Sequence, residues 1–127
     1  MNQQQLSQKQ LSVDDLNDLI IDSIQDIKGK KIVKLDLREL SDAPTDFFII
    51  CEGESNTQVK AIAENIRKRV REEAGLLPSH TEGLQTALWV LVDYFNVVVH
   101  VFYPEKRAFY ELENLWSDAS FTEYGSI

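Results

Sequence analysis

The chain has 127 residues, of which 43% are hydrophobic and 27% charged, and its 13 basic and 21 acidic side chains give a formal net charge of −8. This length fits one globular domain with a hydrophobic core and leaves no room for a second full domain. The acidic balance argues against a general nucleic-acid binder, which needs excess Lys and Arg, and favours a basic protein partner or no charged partner at all.

The chain is predicted to have one structured domain between two tails. Residues 1–10 are polar and glutamine-rich, so we expect a flexible tail there, a domain over residues 11–118 and a loose C-terminal tail over residues 119–127. The first helix is predicted to begin after Ser12, a suitable cap, and to end at Gly29, with an apolar stripe at helical spacing between them.

Two strands and a second helix are predicted next. Residues 31–37 alternate apolar and polar side chains, as half-buried strands do, whereas residues 46–52 hold the unbroken apolar run FFIIC, which is typical of an interior strand. Ser55 and Gln58 have capping-box spacing and mark the start of a second helix, which Gly75 ends. A short strand is predicted around His80.

A β-hairpin is predicted from residues 88–94 and 97–103. Because Phe95 lies in its turn and Phe disfavours positive φ, we expect a turn that is bulged or longer than two residues. Pro104 predicts a short helix through Tyr110, with a further helical turn or two near residues 113–118. The element order predicts an α/β fold: a single mixed β-sheet of about five strands with two main helices and short C-terminal helices.

The two faces of this hairpin differ in composition. Valines dominate one face, which we expect to pack against the two main helices. The other face combines large apolar side chains with a few polar ones: Trp89, Leu91, Asp93, His100 and Phe102. That mixture is typical of the centre of a protein interface. The alternative is that residues 109–116 fold over this face and bury it.

Candidate catalytic groups are few. His80 with Glu82, or His100 with Asp93, would be an acid–base pair able to move protons near neutral pH. No third group is placed to orient either base, so we expect no catalytic site. Cys51, inside its apolar run, is interpreted as a buried small hydrophobe.

No metal, cofactor or membrane site is expected. One cysteine and two histidines argue against structural zinc. Residues 53–55 could hold an anion at a helix start, but the glycine-rich run and lysine of a phosphate loop are missing. The basic stripe on the second helix has no interleaved aromatic residues, so a solvated face is favoured over specific nucleic-acid binding. Without a membrane-length apolar run or a secretory signal at residues 1–10, a cytoplasmic location is expected.

Six sequence blocks resemble the ribosomal silencing factor family, also called the Iojap family. In chain order they are TDFFIICEG (45–53), SNTQVKAIAENI (55–66), HTEG (80–83), WVLVDY (89–94), VVVHVF (97–102) and FYELENLW (109–116). The resemblance covers about residues 12–118. Six blocks in the same order and at similar spacing are specific, whereas any one of them alone would be weak.

The resemblance implies a translational repressor that performs no catalysis. It implies a nucleotidyltransferase-like sheet topology, binding to the large ribosomal subunit through protein fourteen of that subunit, and a steric block of small-subunit joining when nutrients are scarce. Organelle relatives imply a link to large-subunit biogenesis. The alternatives are a nucleotidyltransferase-like enzyme or nucleotide-binding module, and a homodimer that uses the mixed hairpin face as its own interface.

The resemblance also implies which residues contact the partner, with Trp89 as the anchor. The expected partner-binding residues are Trp89, Leu91, Asp93, His100, Phe102, Tyr110, Leu112, Leu115 and Trp116. The chain departs from the family pattern at Phe95 and Asn96, which stand where Gly-Asp is usual. Thr45 and Asp46 match a Thr-Asp pair that we expect to be structural.

Overall fold

Nine secondary-structure elements are present in the computed structural model, which describes residues 11–110, 116 and 118–125, with only the backbone for 108–110. In chain order they are α1 (Val13–Asp26), β1 (Lys30–Asp36), β2 (Phe47–Glu52), α2 (Asn56–Ala74), β3 (His80–Glu82), β4 (Trp89–Asp93), β5 (Val97–Phe102), α3 (Pro104–Tyr110) and β6 (Ser120–Tyr124). The predicted tail at residues 1–10, and most of the helical turn near 113–118, lie outside the described residues.

The strands form one mixed sheet in the order β3-β4-β5-β2-β1-β6. The central pair, β2 and β5, runs parallel, and the other neighbouring strands run antiparallel. The predicted α/β fold with a single mixed sheet is therefore confirmed. The sheet has six strands rather than five, because residues 120–124 do not form a loose tail but pair with β1 as strand β6.

The N-caps predicted from the sequence begin both main helices, whereas α1 ends at Asp26 with Ile27 as its C-cap, before the expected stop at Gly29. The Ser12 hydroxyl accepts a hydrogen bond from the Asp15 amide at 3.0 Å, and the Ser55 hydroxyl accepts one from the Gln58 amide at 3.1 Å. Each bond satisfies an amide that has no partner within the first helical turn. Gly75 ends α2 in the left-handed conformation, with φ 69°. No helix among the described residues combines the length and hydropathy that a bilayer span requires.

The larger hydrophobic core lies between the sheet and the two main helices. Its sheet side includes the hairpin valines Val90, Val92, Val97, Val99 and Val101, and its helix side includes Ile20, Ile24, Ile62 and Ile66. The prediction that the valine face packs against the helices is confirmed. Cys51 is also fully buried in this core, and burial raises the pKa of its thiol to about 12, so the interpretation as a small hydrophobe is confirmed.

A smaller core occupies the opposite side of the sheet. Its buried members include Leu35, Leu37, Phe48, Ile50 and Phe102. Here the segment 37–46, which joins β1 to β2, and the residues Trp116 and Ala119 pack against the strands. The β3–β4–β5 end of the sheet carries the candidate site on this side.

Candidate protein-binding face

The candidate site is the surface of β3, β4 and β5 on the side away from α1 and α2, here called the hairpin face. Its residues are His80, Glu82, Trp89, Leu91, Asp93, Val98, His100 and Phe102. The antiparallel register places Trp89 opposite Phe102, Leu91 opposite His100, and Asp93 between Val98 and His80. Because directly opposed residues share a face, the sheet brings five of the predicted partner-binding residues together.

Four of the predicted partner-binding residues come from the C-terminal segment. Trp116 contributes to the same side of the sheet, with its ring centroid 6.3 Å from that of Phe48 in an edge-to-face arrangement. The alternative was that this segment folds over the face. It holds at Trp116, which packs against the Phe48 side of the face. Tyr110 ends α3, where only its backbone is described, and Leu112 and Leu115 lie outside the described residues.

Trp89 is held by an aromatic cluster. Its ring stacks on Phe102 with a centroid separation of 5.1 Å and an interplanar angle of 23°. Its indole Nε1–H donates a hydrogen bond of 3.1 Å to Nδ1 of His100. Since Nδ1 accepts, the neutral imidazole carries its proton on Nε2. The two contacts orient the indole, which remains half-buried.

His100 is a buried, neutral member of this cluster. Only 4% of it is exposed, and the ring of Phe48 meets its ring edge-on at 4.7 Å. Burial lowers the pKa of His100 to about 4, so the imidazole is uncharged at neutral pH. Within the described part of the chain, its Nε2 finds no hydrogen-bond partner. A histidine in this state supports its neighbours and does not act as a proton carrier at neutral pH.

The hairpin face has an inner and an outer layer. Phe102 and His100 are 1% and 4% exposed and form the inner layer. Trp89, Leu91 and Asp93 are half-buried and form the outer layer. A partner approaching the free protein therefore meets the outer layer first. In this arrangement the two inner residues would contribute by supporting Trp89.

The rim of the hairpin face is polar and acidic. His80 and Glu82 are exposed on β3 and contact each other through Nε2 and Oε2. The second candidate acid–base pair does not form, because His100 bonds to Trp89 and the Asp93 carboxylate accepts a hydrogen bond from the Phe95 amide at 2.7 Å. An apolar centre within a polar rim is the usual anatomy of a protein interface.

A cavity of about 630 Å³ opens on the hairpin face, against the 37–46 segment and the hairpin turn. Apolar and acidic side chains both line it, among them Leu40, Asp46, Leu91, Asp93, Phe95 and His100. The sequence predicts no cavity, and it predicts a bulged or longer turn at Phe95. In the structure Phe95 instead adopts the positive φ of 77°, and the Tyr94 amide donates to the Val97 carbonyl at 2.8 Å. A bulky aromatic residue inside a tight turn was the signal available in the sequence.

Among the residues that the structure describes, no group of three or more His, Cys, Asp or Glu side chains is placed to hold a metal ion. At the 53–55 junction, the Gly53 amide donates to the Phe102 carbonyl at 3.0 Å and Ser55 caps α2. The groups that might have held an anion are therefore engaged in structural bonds.

Comparison with known proteins gives one consistent family. A family model described as ribosomal silencing factor during starvation matches residues 10–126. A Halalkalibacterium halodurans protein named ribosomal silencing factor is 42% identical over 117 residues, which is 92% of this chain and 98% of that protein.

A solved structure and a more distant relative agree with this match. A crystal structure of a Chromobacterium violaceum protein superposes with a TM-score of 0.79 at 39% identity, covering 84% of this chain and 87% of that one. A mouse protein named mitochondrial assembly of ribosomal large subunit protein 1 is 32% identical over 81 residues, or 62% of this chain and 36% of that protein.

Proposed function

Because the chain belongs to the ribosomal silencing factor family, we propose that it binds the large ribosomal subunit through protein fourteen of that subunit and sterically blocks joining of the small subunit. In this proposal the protein acts in the cytoplasm, where ribosomes assemble on messages, and represses translation by occupying a surface. It transforms no substrate, and it needs no cofactor.

The observation that carries the proposal is the composition of the hairpin face. Trp89 and Leu91 supply an apolar centre that is half-buried in the free chain, and Trp is the residue type most enriched among interface hot spots. Glu82 and Asp93 supply an acidic rim. Together with the net charge of −8, this rim suits a basic ribosomal protein, because long-range attraction speeds the encounter of opposite charges.

Occlusion works by mass action. The bound protein and the small subunit would compete for one surface of the large subunit, so occupancy depends on affinity and concentration alone. Each gain of about 1.4 kcal/mol in binding free energy raises the affinity tenfold. Repression would then be reversible without any chemical step, because dissociation restores the free surface.

Gradient co-sedimentation with purified ribosomal subunits tests the proposal. We expect the protein to travel with large subunits and not with small ones, and a crosslinker attached near the hairpin face should recover protein fourteen. Leu77, which is 73% exposed on the connector after α2, offers a matched crosslinker position that is not one of the hairpin-face residues. Crosslinks from both positions to many unrelated ribosomal proteins would contradict the proposed contact.

A role in assembly of the large subunit is a second candidate. It is supported by the mouse relative, whose name refers to assembly of the mitochondrial large subunit. Deleting the gene and separating ribosomal particles on a gradient distinguishes the two roles. Accumulation of immature large-subunit particles during growth would support the assembly role. Normal particles would contradict that role and leave the steric block as the one remaining proposal.

A further inference from the structure

Phe95 combines two unfavourable features in the free protein. Its φ is 77°, in the left-handed region that bulky side chains rarely adopt. Its side chain is also 79% exposed, so the ring gains almost nothing from burial. Glycine would fit this backbone without strain. Backbone strain that is retained at one position often marks a functional residue, so Phe95 is a candidate for such a role.

Hydrogen bonds hold the turn in this conformation. The Phe95 amide donates to the Asp93 carboxylate at 2.7 Å, and the Thr45 hydroxyl donates to the Phe95 carbonyl at 2.8 Å. The Phe47 amide donates to the Asn96 carbonyl at 3.1 Å. The turn is thus bonded both to its own strand and to residues 45–47 at the start of β2, and these bonds fix the backbone that carries the ring.

The ring stands where the cavity of the hairpin face meets solvent. Phe95 lines that cavity together with the apolar side chains of Leu40, Leu91 and Val98. An apolar side chain that entered the cavity would touch these residues and cover the Phe95 ring at the same time. The exposed ring would then be removed from water, which is favourable in proportion to the apolar area buried.

The charges around the cavity indicate the kind of partner. Asp46 and Asp93 belong to its lining, and among the described lining residues the only cation is Arg38. Arg38 is already engaged, since its Nε and Nη2 donate to the two carboxylate oxygens of Asp36 at 3.0 and 2.7 Å. The two lining carboxylates therefore favour a segment that carries Lys or Arg next to its apolar side chain.

We propose that Phe95 and the cavity beside it form a clamp for an apolar side chain on a basic segment of a ribosomal protein of the large subunit. This inference rests on the proposed function and deepens it, because it assigns a contact to a turn residue outside the set of predicted partner-binding residues. The strained turn keeps the Phe95 ring in place, and binding of the partner buries its exposed apolar surface.

Three variants test the clamp, each measured for thermal unfolding and for affinity in titrations with purified large subunits. Phe95→Gly should raise the melting temperature by about 1–3 °C, since glycine relieves the strain, and should weaken binding by about tenfold or more. Phe95→Tyr keeps the ring and should bind within about threefold of wild type. Leu77→Ser removes an equally exposed apolar group elsewhere and should leave binding unchanged.

The results separate the clamp from the proposed function. If the wild-type chain binds large subunits and Phe95→Gly binds equally well, the clamp is overturned and the proposed function stands. If Leu77→Ser weakens binding as much as Phe95→Gly does, the loss reflects apolar surface in general and the clamp is again overturned. If wild type does not bind large subunits at all, the proposed function fails, and the clamp fails with it.

Discussion

The indole nitrogen of Trp89 and the imidazole Nδ1 of His100 are joined by a hydrogen bond of 3.1 Å between opposite strands of the hairpin. The bond links a half-buried side chain to a buried one. It fixes the tautomer of His100 and limits the orientations open to Trp89. A surface anchor whose position is set before binding loses less conformational freedom when a partner arrives.

His100 makes stability depend on pH in a defined window. Burial lowers its pKa to about 4 in the folded state, whereas the unfolded chain has the ordinary value near 6.5. The unfolded state therefore binds more protons as pH falls from about 6.5 to about 4, and the free energy of unfolding decreases over that range. Above pH 6.5 both states are neutral and the effect vanishes. At pH 5 the expected loss is about 2 kcal/mol.

The variant His100→Phe isolates this contribution. The variant keeps every other ionisable group, so urea unfolding of both proteins at pH 7.5 and pH 5 separates the contribution of the histidine from the rest. We expect wild type to lose about 2 kcal/mol more than the variant does on acidification. Equal losses in the two proteins would show that His100 is not kept neutral by burial.

Truncation of Trp89 should damage binding far more than folding. The variant Trp89→Ala removes the half-buried indole but leaves Phe102 and His100 as the inner layer of the face. We expect a loss of about 2 kcal/mol or more in binding to large subunits, which is roughly a thirtyfold weaker affinity. Circular dichroism should show an unchanged far-ultraviolet spectrum. Co-sedimentation equal to that of wild type would show that Trp89 is not the anchor.

A buried ion pair secures α3 against the sheet. Arg107 donates to the Glu52 carboxylate at 3.2 Å and to the Lys31 carbonyl at 2.6 Å, and both charged residues are 8% exposed. The variant Arg107→Met leaves the Glu52 carboxylate buried without this charge, which should cost about 3 kcal/mol of unfolding free energy. Guanidinium unfolding measures the loss. Lys106→Met, at a neighbouring helical position, is the control and should change stability little.

The acidic rim should make binding depend on salt. Because opposite charges at the rim of an interface act mainly on encounter, raising the ionic strength from 0.05 to 0.5 M should slow association with large subunits while changing dissociation little. Stopped-flow mixing measures both rates. The double variant Glu82→Gln, Asp93→Asn should associate more slowly at low salt and respond less to added salt. An association rate that rises with salt would exclude attraction by this rim.

Local patterns in the sequence predicted much of the fold. Ser55 and Gly75 mark the two ends of α2, because an N-cap and a left-handed residue at the helix end depend only on nearby residues. The alternation along Trp89–Asp93 and Val97–Phe102 assigned each hairpin side chain to the correct face, since the period of a strand is two. These features depend on neighbours in the chain, which a sequence displays directly.

The features that were missed depend on distant partners. Strand β6 pairs with β1, and four of its five residues are exposed, so no apolar pattern marks it. The cavity lies between the 37–46 segment and the hairpin, which are parts of the chain far apart in sequence. The layering of the face also follows from tertiary packing, because Phe102 lies on β5 inside the sheet, whereas Trp89 lies on β4 next to the edge strand β3.

The most direct test of the steric block is a subunit-joining assay followed by light scattering. Purified large subunits are saturated with the protein before small subunits are added. We expect joining to be suppressed in proportion to occupancy, and Trp89→Ala to restore it at the same protein concentration. Full joining while the wild-type protein remains bound to every large subunit would contradict the block.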